Sequence, residues 1–246
     1  MDYTKLGQSN GGVPVGPTGG TGPSSPVSIS KVDVSNAVPM LQLAWKLTKE
    51  HYSVVGAAAV IFLLIILAFR QMESLSILAV VPGVILNAGF LRLFRKLLES
   101  KTAELADLFS VFRETDLMMR LVPVIVVGIG VGAIQYFLTS RMGFIGSLMN
   151  LFLSLVLVAL TAFSVPLMMF KQIDLLKSIE LNVQATTINW EFMLASGLML
   201  AGLGVICAVL LLLPLFLVAF PISLVSGYFM YVMMFEGAEL NSFSAN

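Results

Sequence analysis

Lys, Arg, Asp and Glu are missing from five long stretches of this chain: Tyr52 to Phe69, Leu75 to Leu91, Leu121 to Ser140, Met142 to Phe170 and Phe192 to Phe235. A charge at the bilayer centre costs at least a few kcal/mol, and an unpaired backbone amide in lipid costs several. Apolar stretches of this length therefore predict helices that cross a membrane, each needing roughly 20 residues. The last stretch holds 44 residues. As one helix it would reach about 66 Å at 1.5 Å per residue. The pattern predicts a break near Pro214, where proline removes an amide donor and clashes with the preceding turn. The expected fold is all-α and polytopic, with six transmembrane helices arranged as three hairpins.

Mixed polar and apolar segments stand ahead of the hairpins. From Asn36, an N-cap candidate with Pro39 just inside, an amphipathic helix is expected to about His51. Leu41, Ala44, Trp45, Thr48 and Tyr52 share one face of it, and Lys46, Lys49 and Glu50 point elsewhere. Trp45 and Tyr52 suit a membrane interface. Comparable segments, Asp107 to Arg120 and Leu175 to Trp190, precede the third and fifth spans, and Pro82, Pro166 and Pro221 fall in the second, fourth and sixth. This predicts three repeats of about 70 residues, each an interfacial helix followed by a hairpin.

Three stretches carry a family resemblance: ADLFSVF (Ala106 to Phe112), SIELNVQATTINW (Ser178 to Trp190) and GLGVICAVLLLLPLFLVAFPISLVSGYFMYV (Gly202 to Val232). Across roughly residues 37 to 235 the chain resembles a group of uncharacterised bacterial six-span membrane proteins, similar to the membrane domain fused to some glycerophosphodiester phosphodiesterases. The resemblance implies a fold and a bacterial inner-membrane location rather than an activity. The Gly/Pro-rich beginning of the chain also resembles that of Yip-type membrane-trafficking proteins.

Composition agrees with the pattern: 58% of residues are hydrophobic and 11% charged, with a mean hydropathy of +0.95. Formal net charge is zero, so nothing points to a nucleic-acid partner. Residues 1–36 hold Pro14, Pro17, Pro23 and Pro26 among glycines and serines and read as a disordered cytoplasmic tail. They contain no apolar signal-peptide core, so the first span is expected to direct insertion. Residues 37–236 form the expected membrane domain, and 237–246 a short second tail. Basic residues cluster before the first span, between the second and third (Arg92, Arg95, Lys96, Lys101, Arg113, Arg120), and between the fourth and fifth (Lys171, Lys177), whereas the alternate loops hold Arg70, Arg141 and none. The positive-inside rule then places both termini in the cytoplasm.

Candidate chemistry is sparse. With one cysteine, Cys207, and one histidine, His51, no disulfide or His-rich metal site is expected within the chain, and no cofactor is implied. The spans hold no acid, base or histidine, so neither a proton relay nor an activated nucleophile is expected there. Asn87, Gln135, Asn150, Tyr228 and Tyr231 are the polar residues at depth, read as hydrogen bonds between helices or as the lining of a polar path. Gly128 and Gly132 form GxxxG, and Gly197 with Ala201 and Gly204 with Ala208 place small residues four apart. The third and fifth spans are expected to pack tightly through these faces, or to dimerise through one of them. The acids Glu104, Asp107, Glu114 and Asp116 alternate with bases and read as solvated ion pairs. Arg92, Arg95, Lys96 and Lys101 suit anionic lipid headgroups as well as topology.

The expected role is non-catalytic: organising a membrane assembly, with a protein partner or further copies of the chain, or the lipid around it. A transporter or channel for a neutral or amphipathic solute, such as a lipid, is the alternative, because proline-interrupted spans often surround a binding site.

Overall fold

The computed structural model describes residues 27–71, 77–100, 102–210 and 215–240, and their regular structure is helical. In chain order these hold α1 (Ala37–Glu50), α2 (Tyr52–Gln71), α3 (Val80–Ser100), α4 (Thr115–Thr161), α5 (Ser164–Phe170), α6 (Leu175–Ile188), α7 (Trp190–Leu210) and α8 (Phe220–Tyr231). Tighter 3-10 turns occupy Val34–Asn36 and Leu105–Arg113, and wider π-helical turns occupy Leu215–Ala219 and Val232–Glu236. Five helical segments are long and apolar enough to cross a membrane: Tyr52–Phe69, Ile77–Ser100, Thr115–Val158, Trp190–Cys207 and Leu217–Glu236. Pro214, where the sequence predicts a break, lies outside the described residues.

The longest of these, α4, is not straight. Gly143 adopts φ 54 and ψ −129, a conformation that a residue with a Cβ rarely takes. There α4 folds back on itself. Gln135 Nε2 donates to Ser154 Oγ at 2.9 Å and Asn150 Nδ2 to Thr139 Oγ1 at 3.3 Å, pairing residues on either side of the bend. A Cβ on Gly146 would overlap the Leu138 carbonyl oxygen, so glycine is what lets the two arms approach.

The chain divides into two compact units, residues 57–183 and residues 1–56 with 184–246. In the first, α3 packs on the 3-10 segment Leu105–Arg113, on α4 and on α5. A Cβ on Gly89 would overlap the Leu108 carbonyl. Phe62 meets Phe90 edge to face and Phe90 lies tilted against Phe94, with ring centroids 5.8 and 5.5 Å apart. The uncharged run from Met142 to Phe170 is not one helix, because Pro166 has no N–H for the Ala162 carbonyl four residues back. The chain turns at Ala162 and Phe163, where Asn182 Oδ1 accepts the Phe163 N–H at 3.1 Å.

In the second unit, α8 is central. The Leu217–Glu236 segment is 67% buried, with Phe229 and Tyr231 fully so. Helix α1 packs on α7 and α8 through Ala37, Met40, Ala44, Leu47 and Thr48. This face is rotated from the expected one: Trp45 and Tyr52 stay nearly half exposed, beside rather than within the packed stripe. Asn36 makes no capping hydrogen bond. Asp33 caps instead, accepting from the Ser35 N–H at 2.8 Å as the 3-10 turn begins. Residues 1–26 of the expected first tail and 241–246 of the second lie outside the described residues, but 27–36 are not loose, since Ile29 and Val32 are buried.

The two small-residue faces differ. Val80 and Ile77 side chains lie against Gly128 and Gly132, in the space a Cβ there would take. Around Gly197 and Gly204 no atom of the described residues lies within 4 Å of where a Cβ would stand, and Ala201 is exposed. The tight packing expected through this face of α7 is therefore not realised among the described residues, because none of their helices covers it. Gly89→Ala and Gly146→Ala should each destabilise the protein by about 1 to 3 kcal/mol through backbone overlap. Gly204→Ala should be neutral or stabilise by up to ~1 kcal/mol through helix propensity. Thermal unfolding in detergent separates the two classes, and a Gly89→Ala chain as stable as the parent would contradict this packing.

Candidate functional site

Polar side chains gather where α3 leaves its apolar part. Arg92, Arg95, Lys96 and Glu99 stand three or four residues apart and so share one face. The Leu105–Arg113 segment is laid along that face by its own start signal, in which the Glu104 N–H donates to Asp107 Oδ2 at 2.7 Å. Leu108 and Val111 are then turned inward and fully buried, while Asp107 and Ser110 face α3.

Each of these cations meets an acid. The Arg92 guanidinium forks onto Glu114, with Nη1 to Oε1 at 2.5 Å and Nη2 to Oε2, and also reaches Ser110 Oγ at 3.5 Å. Lys96 Nζ lies 3.0 and 2.9 Å from the two Asp107 oxygens. Arg95 donates from Nε to Glu99 at 2.9 Å and lies 4.7 Å over the Phe170 ring. Lys101 lies outside the described residues. Together Arg92, Arg95, Lys96, Glu99, Asp107, Ser110 and Phe170 line an open cleft of about 510 Å³. The sequence suggests ion pairs along single amphipathic helices, whereas two of these link α3 to the connection that follows it.

Electrostatics follow the geometry. Burial pushes the Asp107 carboxyl up, but the Glu104 N–H and the Lys96 ammonium together outweigh it and hold it below its ordinary value. At Glu114 the Arg92 hydrogen bonds dominate over burial and likewise lower the carboxyl. The Ser110 hydroxyl donates to the Asp107 carbonyl at 2.7 Å. It meets a main-chain oxygen there rather than a carboxylate. Among the described residues no three of His, Cys, Asp and Glu come together as metal ligands.

The polar residues at depth are distributed over both units. Gln135 and Asn150 are engaged across the bend of α4. Asn87 is half-buried on α3, and Tyr228 and Tyr231 are buried on α8 with ring centroids 6.5 Å apart. Sequence reasoning missed the two asparagines of the SIELNVQATTINW stretch. Asn182 and Asn189 are both buried, and each side chain bonds main-chain groups distant in sequence. Their spacing of seven, which repeats one helical face, was the available signal.

No protein-family model, curated protein or solved structure matches this chain.

Because both carboxyls are lowered in the folded state, unfolded chains take up protons first as pH falls. Their stabilising effect is complete above the ordinary carboxylate range of about 4 and drains away as pH drops through the lowered folded values. The melting temperature should hold steady from neutral pH to about 5 and decline below it. In Asp107→Asn with Glu114→Gln the acid-side decline should be shallower, and an unchanged pH profile would show that these pairs do not bind the segment to α3.

Proposed function

We propose that this chain is a non-catalytic, multi-pass protein of a bacterial inner membrane that organises the lipid or the membrane assembly around it. The observation that supports this most is the inverted burial of its apolar helices. Only 11% of the Thr115–Val158 segment is buried, and 17% of Trp190–Cys207. Phe144, Phe152 and Val209 are 78%, 70% and 80% exposed. Apolar area on this scale needs a covering of lipid or of another protein's helices. The polar side chains of Gln135, Asn182 and Asn189, meanwhile, bond main-chain groups or other side chains within the fold.

In this reading the two arms of α4 cross separately, so the five apolar helical segments give six spans and three hairpins. The resemblance to six-span bacterial proteins supports that count, and the alternation of basic segments supports termini that both face the cytoplasm. Helix α1 suits a place at the interface: one flank is packed, Val38 and Trp45 are exposed, and Lys46, Lys49 and Glu50 lie beyond them.

The carrier reading rests on Pro82, Pro166 and Pro221. Pro82 and Pro166 stand in the first turn of α3 and α5, where proline starts a helix rather than interrupting one, and the Leu217–Glu236 segment runs on through Pro221 as one helix, so we favour the organising role.

Extraction in native lipid discs should retain a second protein or an annular shell of mixed lipid, identified by mass spectrometry. Retention of one small molecule or one lipid species at a single copy per chain would favour the carrier. Reporters fused to the two ends should register the same side of the membrane. Opposite sides would overturn the six-span count.

A further inference from the structure

The segment Ile29–Val32 is held as an extended peptide would be held by a receptor. The Ser30 N–H donates to the Met234 carbonyl at 2.7 Å, and the Ser30 carbonyl accepts from Asn189 Nδ2 at 3.2 Å. The Val32 N–H donates to Asn189 Oδ1 at 2.7 Å. One side-chain amide thus brackets Lys31, binding the carbonyl before it and the amide after it. Ile29 and Val32 are 3% and 9% exposed, and Lys31 points outward to solvent.

The receiving groups belong to elements distant in sequence from the segment. Asn189 sits at the junction of α6 and α7, 3% exposed, and Nδ2 also donates to the Ala185 carbonyl at 3.1 Å. That bond to its own helix fixes which end of the amide is donor and which is acceptor. The Met234 carbonyl is presented by the π-helical turn Val232–Glu236. Gly237 follows in the left-handed region at φ 65, and a Cβ there would stand 3.2 Å from Ser30 Oγ. The turn and the missing side chain together leave room for the peptide.

We propose that Asn189, Met234 and Gly237 form a binding site for an extended peptide with apolar residues three positions apart, a site filled here by the chain's own Ile29–Val32 and able to release it. Recognition runs through main-chain groups and two apolar side chains. Hydrogen bonds to the peptide's main chain supply affinity and the two buried apolar side chains supply selectivity, as in other modes of peptide recognition. The residue between the two contacts, Lys31, contributes nothing to it. The inference stands whether lipid or protein covers α4 and α7.

The test uses the full chain with a specific-protease site inserted between Asp33 and Val34, so that folding precedes cleavage. After cleavage and dilution, a fluorescent peptide spanning Val27 to Asp33 should bind saturably at one per chain. The Lys31→Ala peptide should bind equally well. The Val32→Pro peptide, lacking the N–H that meets Asn189, should bind about tenfold more weakly, as expected for one lost buried hydrogen bond. A cleaved chain that keeps its melting temperature yet binds no peptide, or binds the proline peptide as well as the native one, overturns the proposal. In the uncut parent, Lys31 should resist limited trypsin, and Asn189→Ala should speed cleavage there about tenfold or more by freeing the segment. Equal rates in folded parent and variant would remove Asn189 from the site.

Discussion

A main-chain amide or carbonyl without a partner costs several kcal/mol in an apolar surrounding, and this governs where the helices of the chain can stop. At three of the interruptions a polar side chain takes part in the bonding. Where α4 gives way to α5, Asn182 accepts the Phe163 N–H. Where α6 gives way to α7, Asn189 holds the N-terminal segment. Between α5 and α6, Gln172 takes a left-handed φ of 56, and its carbonyl accepts from Arg120 at 3.1 Å. The bend of α4 is the exception. There the change of direction is absorbed by Gly143, and the side chains bond one another across the arms.

This demand explains why asparagine recurs at the junctions. A carboxylate could accept an N–H, but it would bring a charge whose burial costs several kcal/mol more than an amide's. At Asn189 acceptance alone would not suffice. The Ser30 carbonyl needs a donor and the Val32 N–H an acceptor, and a neutral side-chain amide offers both within one group. Serine and threonine in the apolar segments serve shorter distances, as Ser154, Thr161 and Ser223 do by bonding carbonyls four residues back in their own helices.

The apolar spans were legible because exclusion of charge is a local property that every residue of a span must obey. Partnership is not local, so what met what was less legible. The basic residues of α3 announced themselves, but nothing near them in the sequence says that Arg92 meets Glu114 or that Lys96 meets Asp107. Small residues four apart mark a surface another backbone can approach. At Gly128 and Gly132 the side chains of Val80 and Ile77 take up the space, and at Gly197 and Gly204 no described residue beyond their own helix does, although the two patterns look alike on paper. The packed face of α1 differs by part of a turn from the expected one because Trp45 and Tyr52 read as apolar whether they pack on protein or rest among headgroups.

Prolines show the same distinction between a residue and the disposition of the groups around it. A proline frees the carbonyl four residues before it, and the consequence depends on what that carbonyl does next. At Pro82 the preceding residues belong to the turn that starts α3, so no helix is interrupted. At Pro166 the chain turns at Ala162 and begins a new helix. At Pro221 the freed carbonyl is Leu217, within the π-helical turn, and the Tyr52 hydroxyl donates to it at 3.3 Å. The apolar segment Leu217–Glu236 can then run through the proline as one helical rod. Tyr52, read from the sequence as an interfacial aromatic, thereby also serves as the donor that proline withholds, and its half-exposed ring is consistent with both duties.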